Sequence, residues 1–406
     1  MATLHPFRAL RPVPDKVEAV ASVPYDVINT KEARHLARGK PESFLHVIRP
    51  EIDFSVGIDE HDDAVYDKGA DNLRRYAQSS LSLQEEEPAL YIYRLVMFGR
   101  EQTGLFGCVA VAEYDDDTIL KHENTRPDKE DDRTRHILTQ RAHAEPVMLT
   151  YRDDEALDQR VAAIKKGEPL YDFTADDGVR HTLWKADAPE ALVEAFRAVE
   201  VLYVADGHHR CKAASRAAET LRATATNAAS SEFAFFPAVL FPMGQMHILP
   251  YNRIVYRLPI APEDLLEELA PVCHLDKGVA DPTPNIPGEV CLYMQGQWHR
   301  LELPPSRRAT VADRLDVARL SEYLLEPILD IDDPRTDPNI NFVGGIRGTK
   351  ELEQRVDSGE AELAISMYAT SIEELVAVSD AGLLMPPKST WFEPKLRSGL
   401  LVHLFD

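Results

Sequence analysis

The chain has 406 residues, more than one ordinary hydrophobic core organises, so two or three domains are expected. Its composition, 44% apolar and 28% charged, is that of a soluble globular protein. Asp and Glu number 68 against 45 Lys and Arg, for a formal net charge of -23, and a chain this acidic repels phosphate backbones and anionic lipid. Duplex nucleic acid and a membrane surface are thereby excluded as main partners, while a small anion in a locally basic pocket is not.

The opening MATLHPFRALRPVPDK has no apolar core of signal-peptide length, and no run of 18 apolar residues follows. Four scattered cysteines without a CxxC pair read as reduced, mostly buried thiols in a cytosolic setting. VPYDVINTKEARHLARG reads as an extended entry, an Asn/Thr cap and a helix ended by Gly39. DDAVYDKGADNLRRYAQ has helical apolar spacing. ALYIYRLVMFG and TGLFGCVAVAEY form a hairpin with GREQTG between them. TILKHE runs from strand into loop, DDRTRHILTQRAHA is a helix, and EPVMLTY is the next strand. YDFTADDGVRHTLWKA is a second hairpin turning at Asp177-Gly178, and PEALVEAFRAV is a helix.

LYVAD is then a strand, HHRCKAASRAAETLRA a helix, and the stretch from EFAFFPAVLF to YNRIVYRL returns to strand. After about residue 260 come a helix at APEDLLEELAPV, a hairpin at EVCLYMQGQWHRLEL and a helix at LDVARLSEYLLEPIL. INFVGG is a short strand with a turn, and ELEQRVDSGEAELAI a helix-to-strand unit. The end, LLMPPKSTWFEPKLRSGLLVHLF, is basic and proline-bearing in an otherwise acidic chain. Three regions result: an N-terminal α+β region over 1–100, a central α/β region over 101–260 and a C-terminal α+β region over 261–406. The last 25 or so residues are free to pack back on the centre.

The stretch VLYVADGHHRCKAA carries the clearest chemistry. A strand that ends at Asp206 and turns through Gly207 exposes the first N–H groups of a helix, which have no intrahelical partner and lie at the positive end of its dipole. Such a terminus holds phosphate. Gly207 permits close approach, Arg210 offers a bidentate guanidinium, and His208 and His209 add donors. Asp206 fits there as a cap or as the ligand of a metal ion bridging phosphates. The same residues read equally as an ordinary Asp-Gly cap with two surface histidines.

KHENTRPDKEDDRTRH is a second constellation. Lys129 and Arg133 stand four residues apart, so on a helix that begins early enough they share a face and meet phosphate together. Asp131 and Asp132 read as cap residues on a solvated helix start. In MPPKST, Lys388, Ser389 and Thr390 face an anion or else satisfy a buried turn, and Arg8, Tyr25 and Asp26 line an acceptor pocket or form a structural turn.

ADGHHRCKAA resembles the phosphate-gripping turn of the ParB/sulfiredoxin-like superfamily. Its partition proteins carry Gly-Glu-Arg-Arg and its sulfiredoxins Gly-Cys-His-Arg, where this chain has Gly207-His208-His209-Arg210. With His208 at the sulfiredoxin cysteine position, cysteine redox chemistry is not implied. The branch most like this chain, over roughly 105–255, is that of the free-serine kinases, which carry Asp-Gly-His-His-Arg. HPFRALRP, VPYDVI, KHENTRPDKEDDR, ADGHHR, YNRIV and MPPKSTWFEPKLRSGL also resemble a bacterial and archaeal family catalogued as a domain of unknown function.

The resemblance implies a central domain with a mixed sheet and a phosphate-binding helix N-terminus. It implies a kinase that uses ATP or ADP with Mg2+ and phosphorylates L-serine or another small polyol or hydroxy acid. Since His122-Glu123 matches the His-Glu pair after the first strand of that domain, the catalytic role passes to Glu123 with His122 beside it. Asp206 is the one carboxylate offered to Mg2+. The alternative is a non-catalytic, ParB-like nucleotide sensor, which needs His209 and Arg210 but has no use for Glu123. Homo-oligomer formation stays open.

Overall fold

A computed structural model describes residues 1–223 and 231–405. Contacts gather the chain into two compact units: residues 1–121, 125–246 and 394–406 in the first, residues 122–124 and 247–393 in the second. Residues 1–100, expected as a region of their own, share the first unit with 125–246, and the second unit joins 122–124 to 247–393.

The first unit is built on an eight-stranded mixed sheet. Its strands are β1 (Tyr91–Met97), β2 (Arg100–Ala110), β3 (Ile119–Leu120), β4 (Val147–Tyr151), β5 (Tyr171–Thr174), β6 (Arg180–Lys185), β7 (Leu202–Asp206) and β8 (Phe235–Pro242). They lie in the order β3-β7-β4-β8-β2-β1-β6-β5. β7 runs parallel to β3 and antiparallel to β4, while β8 is parallel to β4. The helices that matter below are α1 (Asp63–Ala77), α2 (Pro127–Gln140), α3 (Glu155–Ile164), α4 (Pro189–Phe196) and α5 (His208–Arg222). The α/β class, the mixed sheet and the strand-to-helix passage at 206–208 agree with the sequence.

Local chemistry explains where the elements fall. The β1–β2 turn is Phe98-Gly99, both at positive φ (51° and 77°), the geometry that matches strand twist in a two-residue hairpin. REQTG, expected in the connection, is thus the first part of β2, and the expected strand end VAEYD is a helical turn. α2 starts at Pro127, where a missing N–H costs nothing, and stops at Arg141 in the left-handed region, so RAHA lies outside it. α5 lays Cys211, Ala213, Ala214, Ala217 and Ala218 into the core with Val147, Leu149 and Val204, and its short side chains let it lie close to the sheet.

The second unit has a six-stranded antiparallel sheet of β9 (Tyr251–Val255), β10 (His274–Val279), β11 (Glu289–Met294), β12 (Gln297–Glu302), β13 (Ile340–Gly344) and β14 (Leu363–Met367). The order is β10-β12-β11-β14-β9-β13. α6 (Gly348–Asp357) places Leu352 in a core with Ile254, Cys291, Trp298 and Ala364, and α7 (Ile372–Asp380) follows β14. The segment expected as one helix at 315–329 is α-helical over Asp316–Leu320 and π-helical over Ser321–Leu325. All four cysteines are buried and unpaired. No helix among the described residues is long and apolar enough to cross a membrane.

Candidate functional site

The turn between β7 and α5 is built for glycine. Gly207 has φ 100° and ψ 33°, in the left-handed region. A Cβ there would also stand 3.1 Å from Arg210 Cζ and Nε and 3.2 Å from Val147 Cγ1. Glycine thus satisfies two demands, the backbone twist and the flat packing of the guanidinium across the turn. The Cys211 N–H donates to Gly207 O at 3.0 Å, so the amides of residues 208–210 precede the intrahelical ladder at the positive end of a 15-residue helix. No acidic residue lies in the first turn of α5.

Around this mouth the charges are organised by pairs. Asp206 accepts from Arg210 Nη2 through Oδ2 at 2.9 Å and from Lys395 Nζ through Oδ1 at 3.0 Å. Arg210, 7% exposed, also reaches Asp26 Oδ2 at 3.4 Å and donates through Nη1 to Pro146 O. Burial opposes the charge on Asp206, but Lys395 and Arg210 outweigh it and hold the carboxyl far below the carboxylate range. Burial likewise opposes the charge on Arg210, and Asp26 and Asp206 raise its pKa in spite of it. Arg210 is therefore a buried clamp on the turn rather than a loose hook in solvent.

This network bears on the expectation that Asp206 offers an oxygen to Mg2+. A metal ligand needs an available lone pair on a hard oxygen. Each Asp206 oxygen accepts one hydrogen bond from a cation and keeps a further lone pair, so the carboxylate can still offer an oxygen to a metal ion.

A second tier lies behind the first. Tyr25 and Asp26 sit on a 3-10 turn, Tyr25–Val27, whose first N–H donates to Glu145 Oε1 at 3.1 Å. Ser398 Oγ donates to the same oxygen at 3.0 Å. Arg133 lies 4.0 Å over the Tyr25 ring and pairs with Asp132 at 2.6 Å. Burial opposes the charge on Asp132, yet Arg133 and His136 keep its pKa at about 2, whereas burial raises that of Glu145. Arg133, His136, Glu145 and Arg210 line a cavity of about 40 Å³, large enough for ordered water.

His208 is buried and His209 half-buried. His209 Nε2 accepts the Arg126 N–H at 3.1 Å, which fixes the neutral ring with its proton on Nδ1 and ties the entry of α2 to α5. Lys129 and Arg133 both fall within α2, as their spacing requires: Lys129 is half-buried in the first turn, while Arg133 turns inward to Asp132 and Tyr25. Asp132 is likewise a buried pairing partner and not a solvated cap. Arg8 is exposed, and its Nε donates to Glu85 O at 3.1 Å.

In the second unit, His122 is buried and Glu123 half-buried on the loop after β3. The Met385 N–H donates to His122 O at 2.8 Å. Lys388 is exposed at φ 55°, Ser389 Oγ donates to Pro386 O at 2.6 Å, Thr370 Oγ1 to Ser389 O at 2.9 Å, and Thr390 is half-buried. Sequence reasoning singled out Asp206, Gly207, Arg210, Tyr25 and Asp26, which the fold gathers in the first unit. It missed Glu145, Lys395 and Ser398. The available signal for Lys395 was the basic character of the C-terminal stretch.

No curated protein sequence matches the chain. Among solved structures, a free serine kinase in complex with AMP aligns over 73% of this chain and 91% of its own at 10% identity and a TM-score of 0.37. A C-terminally truncated SbnI from Staphylococcus aureus aligns over 74% and 87% at 13% identity and a TM-score of 0.38. A conserved hypothetical protein from Pyrococcus furiosus aligns over 73% and 95% at 12% identity and a TM-score of 0.35. Residues 4–318, which include the 206–210 turn and Glu123 but not Lys395, match the family described as protein of unknown function (DUF1015), and the chain belongs to that family.

Proposed function

We propose that the protein is a nucleotide-dependent kinase acting on a free hydroxyl of a small molecule, L-serine or another small polyol or hydroxy acid. The observation that carries the reading is the mouth of α5. Its amides at 208–210 precede the helical ladder, Gly207 lets the Arg210 guanidinium pack against the turn, and Arg210 and Lys395 bring cationic charge beside it. The donor, ATP or ADP, places its terminal phosphates there, with His208 and His209 beside them. Lys129 is the candidate for outer phosphate contact, and Arg133 supports the site from within. Mg2+ would be carried mostly by the phosphates, with Asp206 the one protein carboxylate offered to it.

Glu123 takes the base role on the strength of its likeness to the His-Glu pair of the serine kinases, with His122 beside it. The acceptor oxygen attacks the terminal phosphorus, its proton passes to the Glu123 carboxylate, and the bond from phosphorus to the leaving nucleotide oxygen breaks. Tyr25, Asp26 and Arg8, with Lys388, Ser389 and Thr390, are the candidates for acceptor binding. Most of the acceleration comes from positioning and charge neutralisation.

The test is to incubate the protein with ATP or ADP, Mg2+ and a pool of hydroxyl-bearing metabolites and to search by mass spectrometry for a new phosphorylated species. Glu123→Gln is expected to keep nucleotide binding and lose transfer. Full turnover by that variant removes Glu123 from the mechanism. Nucleotide binding without transfer to any acceptor by the unaltered protein favours the sensor.

A further inference from the structure

We infer that Lys395 opens the mouth of α5 to a polyanion by cancelling the carboxylate of Asp206. The inference rests on the phosphate-binding reading of that mouth and adds a residue outside the matched 4–318.

The argument is one of charge. Asp206 directly precedes Gly207, and its carboxylate pairs with both Arg210 and Lys395, the cations beside the mouth. Four charged groups are linked by pairs there: Asp206 and Asp26 are negative, Arg210 and Lys395 positive. The set is neutral with Lys395 and carries one negative charge without it. One tier further in, Arg133 is matched by Asp132, and burial pushes Glu145 toward its neutral form. Among the described residues of that tier, Arg133 is already matched by Asp132 and does not take the place of Lys395. An uncompensated carboxylate beside the first turn of a helix repels phosphate and competes with it for the helix dipole.

The segment that carries Lys395 is held firmly. Ser22 and Ser398 exchange backbone hydrogen bonds at 3.1 and 2.9 Å, and Ser398 Oγ reaches Glu145. His403 and Leu404 pair with His143 and Ala142 as a two-stranded ribbon. The Lys395 side chain is 11% exposed, so the ammonium is fixed on Asp206 instead of sampling solvent. A lysine placed for surface solubility would not be drawn in this way.

Calorimetry with inorganic pyrophosphate, AMP and ADP tests this on four proteins: unaltered, Lys395→Met, Lys395→Arg, and the Asp206→Asn/Lys395→Met double variant. Lys395→Met is expected to weaken pyrophosphate about tenfold or more, and ADP more than AMP. Lys395→Arg keeps most of the affinity, and the double variant regains most of what Lys395→Met loses, because the charge to be cancelled is gone. A merely structural lysine would not be rescued by removing its partner. Equal pyrophosphate affinity in Lys395→Met, or a double variant no better than the single one, overturns the inference. Absence of pyrophosphate binding by the unaltered protein overturns it together with the phosphate-binding reading. Failure of the kinase reading alone looks different, with the binding pattern intact and no phosphorylated product.

Discussion

Two stretches of this chain look alike in sequence, each a basic turn suited to an anion, and the fold treats them in opposite ways. At the mouth of α5, Arg210 and Lys395 meet carboxylates, Asp206 and Asp26. At the turn before Trp391, the buried cation is Arg253 on β9, and it meets backbone: Nη1 donates to Tyr251 O and Nη2 to Lys388 O at 3.3 Å. No carboxylate of the described residues pairs with Arg253, and burial pushes its pKa down to about 10, still leaving it charged at neutral pH. A cation paired with a carboxylate can exchange that partner for a ligand's oxygen. A cation tied to carbonyls fixes the path of the chain. The first arrangement suits a binding site and the second a scaffold.

Acid should separate the two units most. Burial holds His136, His143, His181 and His403 in the first unit, and His299 in the second, below the ordinary imidazole value. They stay neutral in the fold while the unfolded chain takes up protons below about pH 6.5. Their folded pKa values are depressed, so their contribution is complete above that pH and is lost as pH falls, by up to ~1.4 kcal/mol per unmatched proton per pH unit. Asp132, with a folded pKa of about 2, adds a further loss as pH falls from about 4 toward 2. Hydrogen exchange between pH 7 and 4 is expected to show α2 and β6 losing protection before β9 and β14, which carry no histidine. The reverse order would mean that the buried histidines do not govern acid stability.

Arg210→Ala is next in size. It leaves Asp206 and Asp26 without their shared guanidinium and removes the group that packs on Gly207. A loss of about 3–5 kcal/mol in urea unfolding is expected, as for breaking a buried ion pair. Nucleotide affinity should fall by about 1.5–3 kcal/mol where the fold persists. Arg253→Met should cost less, about 1–3 kcal/mol, because two carbonyls lose a donor but no carboxylate is orphaned. It should leave pyrophosphate affinity at the mouth of α5 unchanged. A large drop in that affinity would erase the contrast between trading and tying cations.

How much of this was readable differs between the two units for physical reasons. β7 and α5 were legible because an apolar run, a glycine at a forced positive φ and an alanine-rich helix follow one another locally. α3 was missed: only Leu157 and Val161 of its ten residues are buried, so its apolar stripe is too thin to stand out, although Asp154 caps it through Leu157 N at 2.9 Å. α7 was missed despite a complete capping box between Ser371 and Glu374, a signal that was there to be read. β10 has no fully buried residue, so no alternation marks it. The pairing of Lys395 with Asp206 joins residues 189 apart, and no local pattern encodes it.

The smallest effect sharpens the comparison most, because it concerns the one exposed cation of the second turn. Lys388 holds φ 55°, a conformation that costs a side-chain-bearing residue about 1 kcal/mol and that glycine adopts without penalty. Its carbonyl accepts from Arg253 and its Nζ lies 5.6 Å over the Tyr251 ring. Lys388→Gly keeps the carbonyl and relieves the backbone while deleting the ammonium. If the turn is scaffold alone, the midpoint of thermal unfolding should stay level or rise slightly, and turnover of the acceptor found by the metabolite screen should not change. If Lys388 meets the acceptor, the same variant raises KM for it at unaltered nucleotide affinity. The second outcome is the expected one, since a lysine kept at a strained backbone position that glycine would fill more cheaply is better accounted for by its charge than by its fold.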